Sequence, residues 1–397
     1  MSRIWRSGLL TIVLVLVFGG VRAAEAQMQM QMSPGWQWQT TGNVFAGANY
    51  QYRKFTDFHA LESQNWVMLA VQRPWAGGDL QLTSMLSFEP FTFKKIGSPQ
   101  VFQTGETFEG VPLIDYQHPH DLFTNLGTWY SHTFAEYRVL MNAALVGAPA
   151  LGPQPFMHRP SAAENPQAPL SHHSLDSTHI SPGVLTVAVS RDAFGLETSW
   201  FRGREPDERR TDLDLGALDS WSVRGHWKLA AWDAQVSGAH ITNPEITEPG
   251  RDVARLTASV GYHRTGDIDT AVSVAWGQNR EAHGNLNAFL FESNTSWLDR
   301  NYLYSRAEIA TKDILNAGGY DPPGFLAPHQ LSRVAAFTLG YTRDVNSGMR
   351  ARVGIGGDVT TYYVPDNLKE NYGGPVSLHL FVRVRFPAKD PMAGMNH

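Results

Sequence analysis

The side chains in this sequence that could do chemistry are histidines, aspartates and methionines, gathered in two internal stretches and two tails. Asp115 to Phe123 reads DYQHPHDLF, and Gly147 to Gly183 reads GAPALGPQPFMHRPSAAENPQAPLSHHSLDSTHISPG. The first carries His118, His120 and Asp121. The second carries Met157, His158, His172, His173, Asp176 and His179. Imidazole and carboxylate are the ligands of zinc, copper or nickel. His172, Asp176 and His179, spaced by four and three, would share one face of a helical turn. The same histidines could instead brace loop backbone against a wet wall, and no HExxH-type spacing selects the metal reading.

The tails add softer donors. Met28, Met30 and Met32 alternate with glutamine near the start, and Met392, Met395 and His397 close the chain. Thioethers favour Cu(I) or Ag(I), so copper is the metal these tails would suit. Ser171, Ser174 and Ser177 beside His172, His173 and Asp176 hold the atoms of a hydrolase triad. No GxSxG elbow accompanies them, and a triad is a matter of geometry rather than proximity in sequence. The expectation is therefore a protein that is not an enzyme.

Neither histidine stretch has strand or helix periodicity, so both read as long loops that other elements must hold. Those elements alternate with period two. From Ala351 to Tyr363 the odd positions run Ala, Val, Ile, Gly, Val, Thr, Tyr, and Arg352, Asp358 and Thr360 fall between them. From Val376 to Phe386 the even positions are apolar, and Ser377, His379, Arg383 and Arg385 face the other way. Segments of about ten residues with one apolar and one polar face are the signature of transmembrane β-strands. Sixteen such segments can be marked, at 36–53, 64–73, 79–93, 121–131, 134–147, 180–190, 194–203, 217–229, 232–242, 252–264, 267–278, 285–296, 300–311, 331–344, 350–363 and 375–387. Short and long connections alternate between them.

The expected fold is all-β: a transmembrane antiparallel up-and-down β-barrel of about 16 strands. Its lumen is expected to be partly filled by long extracellular-side loops, with both termini on the short-turn, periplasmic rim. Aromatic residues near strand ends, among them Trp36, Trp38, Trp75, Trp129, Trp200, Trp232, Tyr362 and Tyr363, would form interfacial girdles. Alternation turns Arg224, Arg255, Arg306, Arg350, Arg352, Arg383 and Arg385 toward the lumen. There they either give a mild anion bias or pair with loop acids such as Glu205, Asp207, Glu208, Asp212 and Asp214.

Composition agrees. The 397 residues are 17% charged, with 12 Trp, 13 Tyr and 20 Phe, and lack cysteine, which excludes disulfides, thiolate metal sites and Cys nucleophiles. A mean hydropathy of −0.27 does not suit a helical membrane protein. Residues 1–26 read as a signal peptide, with Arg3 and Arg6, an apolar run Leu9 to Val21 and an Ala24-Glu25-Ala26 cleavage site. Its removal takes away three arginines and one glutamate, moving the formal charge from −5 to −7, which argues against a nucleic-acid partner. Residues 27–35 form a Met-rich tail, 36–387 the barrel and 388–397 a Met/His tail. The expected surroundings are outer-membrane lipid, the barrel-assembly machinery during biogenesis and periplasmic metal-handling proteins.

At PLIDYQHPHDLF (112–123), GAPALGP (147–153), FMHRPSA (156–162), HH (172–173) with DSTHIS (176–181), and FRGREPDE (201–208) the chain resembles a family of bacterial outer-membrane barrels often encoded with heavy-metal or copper-handling genes. The tails loosely resemble copper-resistance outer-membrane proteins of the B type, which carry a much longer Met/His-rich N-terminal region. The resemblance implies a non-enzymatic role in handling or transporting metal, copper first. The other reading from the residues is a diffusion channel for small polar or anionic solutes, with structural histidines.

Overall fold

The computed structural model describes residues 35–54, 56–246, 249–315, 330–346 and 351–386. The strands are β1 (Gln37–Arg53), β2 (Thr56–Glu62), β3 (Asn65–Trp75), β4 (Gly78–Leu86), β5 (Ser98–Phe108), β6 (Val111–Gln117), β7 (Phe123–Phe134), β8 (Tyr137–Gly147), β9 (Ser181–Arg191) and β10 (Phe194–Phe201). They continue as β11 (Ser220–Leu229), β12 (Trp232–Ile241), β13 (Val253–Arg264), β14 (Ile268–Glu281), β15 (Gly284–Trp297), β16 (Asn301–Lys312), β17 (Ser332–Asp344), β18 (Arg352–Tyr363) and β19 (Val376–Phe386).

All but β5 and β6 join one antiparallel sheet, which closes where β19 pairs with β1 at Val384 opposite Val44. The inner part of β1 pairs with β3 and its outer part with β2. β2 and β3 are thus successive halves of one stave, interrupted at Ser63 and Gln64, and the barrel has sixteen staves. Closure removes the open edges that a lipid-exposed sheet could not tolerate.

Alternation gives each stave its two faces. On β19, Leu378, Leu380 and Val382 lie exposed on the outer surface, and Ser377, His379, Arg383 and Arg385 are buried inside. Outward Trp38, Trp75, Trp200, Trp232 and Tyr363 fit the girdle expectation. Trp129 and Tyr362 do not. Trp129 lines an internal cavity, and the Tyr362 hydroxyl lies 2.6 Å from Ser377 Oγ inside the barrel. No helix among the described residues is long and apolar enough to cross a membrane, which says nothing against crossing by strands.

Two expectations need correction. The segment marked as a strand at 79–93 ends at Leu86, and a one-turn helix follows at Glu89–Thr92, with Pro90 in its first turn. The first histidine stretch also belongs partly to regular structure. β5 and β6 form a separate hairpin inside the long connection from β4 to β7, and β6 ends at Gln117. Its register shifts at two places, so its residues do not alternate cleanly. It is legible from its packing: Val101, Phe102 and Ile114 join Leu170, Ala310, Val334 and Leu368 in an apolar cluster.

Candidate functional site

Both histidine-bearing connections fold into the lumen, and the wall holds them with buried polar groups. The connection 148–180 is seated first by Leu151, packed among Val184, Phe201, Ile241 and Val253. Ala150 N–H donates to Ser199 Oγ and Gly152 N–H to Ser237 Oγ, each at 2.8 Å. Arg159 Nε then donates to Glu292 Oε2 at 2.6 Å, and Arg306 Nε reaches the other oxygen at 2.9 Å. Glu164 sits fully buried between Arg383 and Arg385, and Asp344 also pairs with Arg383. Ser171 gives both its N–H and its hydroxyl to Glu308 Oε1, at 3.1 and 2.9 Å. Each charge removed from water thus has an opposite charge or a donor, which low dielectric surroundings demand.

The lumen arginines are therefore largely neutralised, mostly by other partners than the acids 205–214, although Arg255 and Glu205 do act on each other. Arg383 and Arg385 use Glu164, and Arg306 uses Glu292. Arg224 uses Glu197 at 2.8 Å, and Arg352 lies 3.6 Å from Asp344. Arg255 donates to Asn279 and Ser177. Arg350 lies outside the described residues.

Within this plug five imidazoles from the two connections form a closed circuit. Ring centroids lie 6.5 Å apart from His118 to His120, 5.3 Å from His120 to His179 and 5.3 Å from His179 to His172. The circuit closes through His173, 5.3 Å from His172 and 5.8 Å from His118. Short local elements aim them. His172 and His173 open a one-turn helix that ends at Leu175, and His179 lies on the 3₁₀ turn Ser177–Ile180. The helix lies directly on β14, because Gly277 has no Cβ: one there would fall 2.1 Å from the Ser174 carbonyl oxygen.

Most rings are fixed at Nδ1. His172 donates to Asp176 Oδ1 at 2.7 Å, and His179 to the Asp176 carbonyl at 2.8 Å. His120 Nδ1 and its own backbone N–H both meet Glu89 Oε2, at 2.8 and 2.9 Å. Asp176 also accepts from Arg159 at 3.1 Å, so the three-and-four spacing joins residues that do meet. The Nε2 atoms of His120 and His179 are buried without a hydrogen-bond partner, and so are both ring nitrogens of His173.

Burial and neighbouring charge set the protonation states. Burial pushes His118 and His179 well below the ordinary imidazole range, and holds His172 at about 4 and His173 at about 3. His120 differs: burial pushes it down too, but the carboxylate of Glu89 outweighs that, and its pKa is raised. Beside His118 Nε2, at 3.1 Å, stands Glu106, which burial lifts to about 7 despite Arg210. Asp121 pairs with Arg210 at 3.3 Å and is likewise lifted to about 7 by burial.

Below the plug, toward the short turns, lies a cavity of about 360 Å³. Its roof is the connection 148–180, from Ala148 to Ser161 with Asp176 and His179. Its walls carry Arg138, Arg224, His226, Lys228, Asp233 and His263. A concave, polar-lined space of this size can hold a small polar molecule.

The structure thus brings His118, His120, His172, His173, Asp176 and His179 together. His158 stands apart, its ring 4.6 Å from Trp66, and Met157 packs in apolar clusters with Trp66 and Phe156. That thioether fills a core rather than offering a ligand. The tail ligands Met28, Met30, Met32, Met392, Met395 and His397 lie outside the described residues. Of the hydroxyls considered for a triad, Ser171 Oγ is spent on Glu308 and Ser177 Oγ accepts from Arg255.

Among the described residues two groups bring three ligand atoms within 4.8 Å of one another: His173, Glu205 and Glu245, and Asp207, Asp212 and Asp214. Glu245 was missed in the sequence, and Glu205 was read only as a partner for arginine. Glu164 was also missed, although it is the one charged residue between Arg159 and His172.

Comparison with known proteins supports the architecture. No protein-family model matches the chain, and no match is found among curated proteins. Solved structures do match. An anion-selective porin from Comamonas acidovorans aligns at a TM-score of 0.50 and 12% identity, covering 89% of this chain and 100% of that one. The outer-membrane channel DcaP of Acinetobacter baumannii aligns at 0.50 and 10%, covering 89% and 98%. A loop-deleted form of OmpT, an outer-membrane protein of Vibrio cholerae, aligns at 0.50 and 8%, covering 88% and 99%. At such identities the likeness is one of fold. The class is thereby defined as a closed sixteen-stranded antiparallel barrel of the porin-like, outer-membrane type.

Proposed function

We propose that this barrel is a diffusion channel for small polar solutes, with a mild preference for anions, and that its inward-folded connections restrict passage. The cavity carries the reading. It runs from the short-turn end of the lumen up to the plug, and among its lining groups Arg138 donates to Ser131 Oγ rather than to a carboxylate, whereas Arg224 is paired with Glu197 and Lys228 stands across from Asp233. Fixed cationic groups in a low-dielectric wall raise the local concentration of anions. The polar inner face and apolar outer band are what a solute path through the outer membrane requires.

Planar-bilayer recording of the purified barrel is the test. The wild type is expected to show small conductance with weak anion preference. A form in which residues 154–175 are replaced by a short Gly/Ser linker is expected to conduct several-fold more. If neither form conducts, while both keep β-sheet circular dichroism and heat-modifiable migration on gels, the channel reading is wrong. The copper reading has less to stand on within the described residues, because the thioethers beside His158, those of Met68, Met85 and Met157, are packed in a core around Trp66.

A further inference from the structure

We propose that His173, Glu205 and Glu245 form a binding site for one divalent first-row metal ion, zinc(II) fitting best, which fastens three long connections to one another. The residues come from the connections 148–180, 202–219 and 242–252, and their ligand atoms already lie within 4.8 Å of each other.

The separation of His173 Nδ1 from Glu205 Oε1 is 3.8 Å. That is too long for a hydrogen bond, which closes at roughly 2.7–3.2 Å. It lies within the span of two ligands on one ion, since two metal–ligand bonds of about 2.1 Å reach at most about 4.2 Å. Both ring nitrogens of His173 and Glu205 Oε2 are buried without a hydrogen-bond partner. Buried polar atoms are otherwise satisfied almost everywhere in folded proteins, so three such atoms at one place point to a partner of another kind.

The frame around them is built. The His173 carbonyl accepts from Asn279 Nδ2 at 3.1 Å, which holds the backbone of the ligand on β14. The ring packs on Gly105, whose φ of +128° only glycine adopts easily and where a Cβ would fall 2.2 Å from His173 Cε1. Glu205 N–H donates to the Pro244 carbonyl at 3.1 Å, fixing the connection that carries Glu205 to the one that carries Glu245. Glu205 and Glu245 bring two carboxylates together beside His173, and a dication would relieve their mutual repulsion.

The donor set chooses the ion. One imidazole and two carboxylates suit zinc, with water completing a tetrahedron. There is no thioether or thiolate for Cu(I). Calcium would need six or more oxygen ligands. The other acidic group, Asp207, Asp212 and Asp214, lacks an imidazole and is partly exposed.

The site does not depend on whether the barrel conducts, and it is tested apart from conductance. The full barrel, stripped with EDTA in detergent, is titrated with Zn²⁺ by calorimetry and with Co²⁺ by visible absorption. One ion per barrel is expected. Glu205→Gln/Glu245→Gln should weaken binding by more than about 100-fold, beyond what loss of an outer-shell partner does. Asp207→Asn/Asp212→Asn should leave it unchanged. Heat-modifiable migration confirms that each variant is folded, and the glutamines preserve side-chain volume. Absence of binding in the wild type, binding retained in the double glutamine variant, or loss only in the Asp207/Asp212 or His120→Ala/His179→Ala variants would overturn the assignment.

Discussion

The two ends of the lumen handle the same residue types in opposite ways. Toward the long connections the space is filled, and Arg159, Arg306, Arg383 and Arg385 each meet a carboxylate of Glu292 or Glu164. Toward the short turns a cavity of about 360 Å³ is left, and Arg138 and Lys228 stand at its wall. An arginine in the dry end is a structural group, because leaving it without a partner costs several kcal/mol. On the channel reading, an arginine of the wet end without a carboxylate, such as Arg138, is a source of field, whereas Arg224 at the same wall is paired with Glu197.

Removing a charge from the dry end should therefore have the largest effect. Glu164→Ala takes its carboxylate from Arg385 and leaves Arg383 with Asp344 alone, and should lower unfolding stability by about 3–5 kcal/mol in urea titrations. A loss under 1 kcal/mol would mean that water reaches this end and the contrast between the two ends is false. Asp176→Asn keeps the shape but removes the charge shared by Arg159 and His172, with an expected loss of about 1.5–3 kcal/mol.

Acidity sharpens the same contrast. Burial, followed by His120 and His172, holds His179 neutral in the folded protein with its pKa well below the ordinary value; Asp176 opposes this, and Phe156 packs against the ring. The unfolded chain protonates this ring below about pH 6.5, so the stability it contributes is present above that pH and is lost as pH falls. The wild type should therefore lose stability relative to His179→Gln between pH 7 and 4. An unchanged difference across that range would place the ring in water. The smallest effect on stability belongs to the wet end. Arg138→Glu should change stability by no more than about 0.5 kcal/mol. The ratio of anion to cation permeability should nevertheless fall.

What the sequence made legible follows the same division. The staves could be read because lipid on one side and a polar lumen on the other impose period two, as on β18 and β19. The hairpin of β5 and β6 escaped because it is buried on both faces and its register shifts, which destroys alternation. Residue type marked His118, His120, His158, His172, His173, Asp176 and His179 as candidates, but not that all of them except His158 would gather. Their partners Glu89, Glu106, Glu205 and Glu245 were not marked, since Glu89 and Glu106 lie well upstream of His118 and His120 in the β4–β7 connection, Glu205 and Glu245 lie on two others, and only the folded plug brings them near. A lone acid such as Glu164 in PSAAENPQAPL is the kind of signal that could have been used, because nothing else within that run carries charge.

That the paired charges of the dry end keep the channel restricted can be tested by reversible locking. The chain has no cysteine, and Ser161 Oγ lies 2.8 Å from Ser273 Oγ on β14, so cysteines at both positions can tie the plug to the wall. The measurement is the single-channel conductance of the Glu164→Ala barrel carrying Ser161→Cys/Ser273→Cys, first oxidised and then reduced. The oxidised form should conduct as the wild type does, and the reduced form several-fold more. Equal conductance in the two states, with the disulfide verified, would contradict the account.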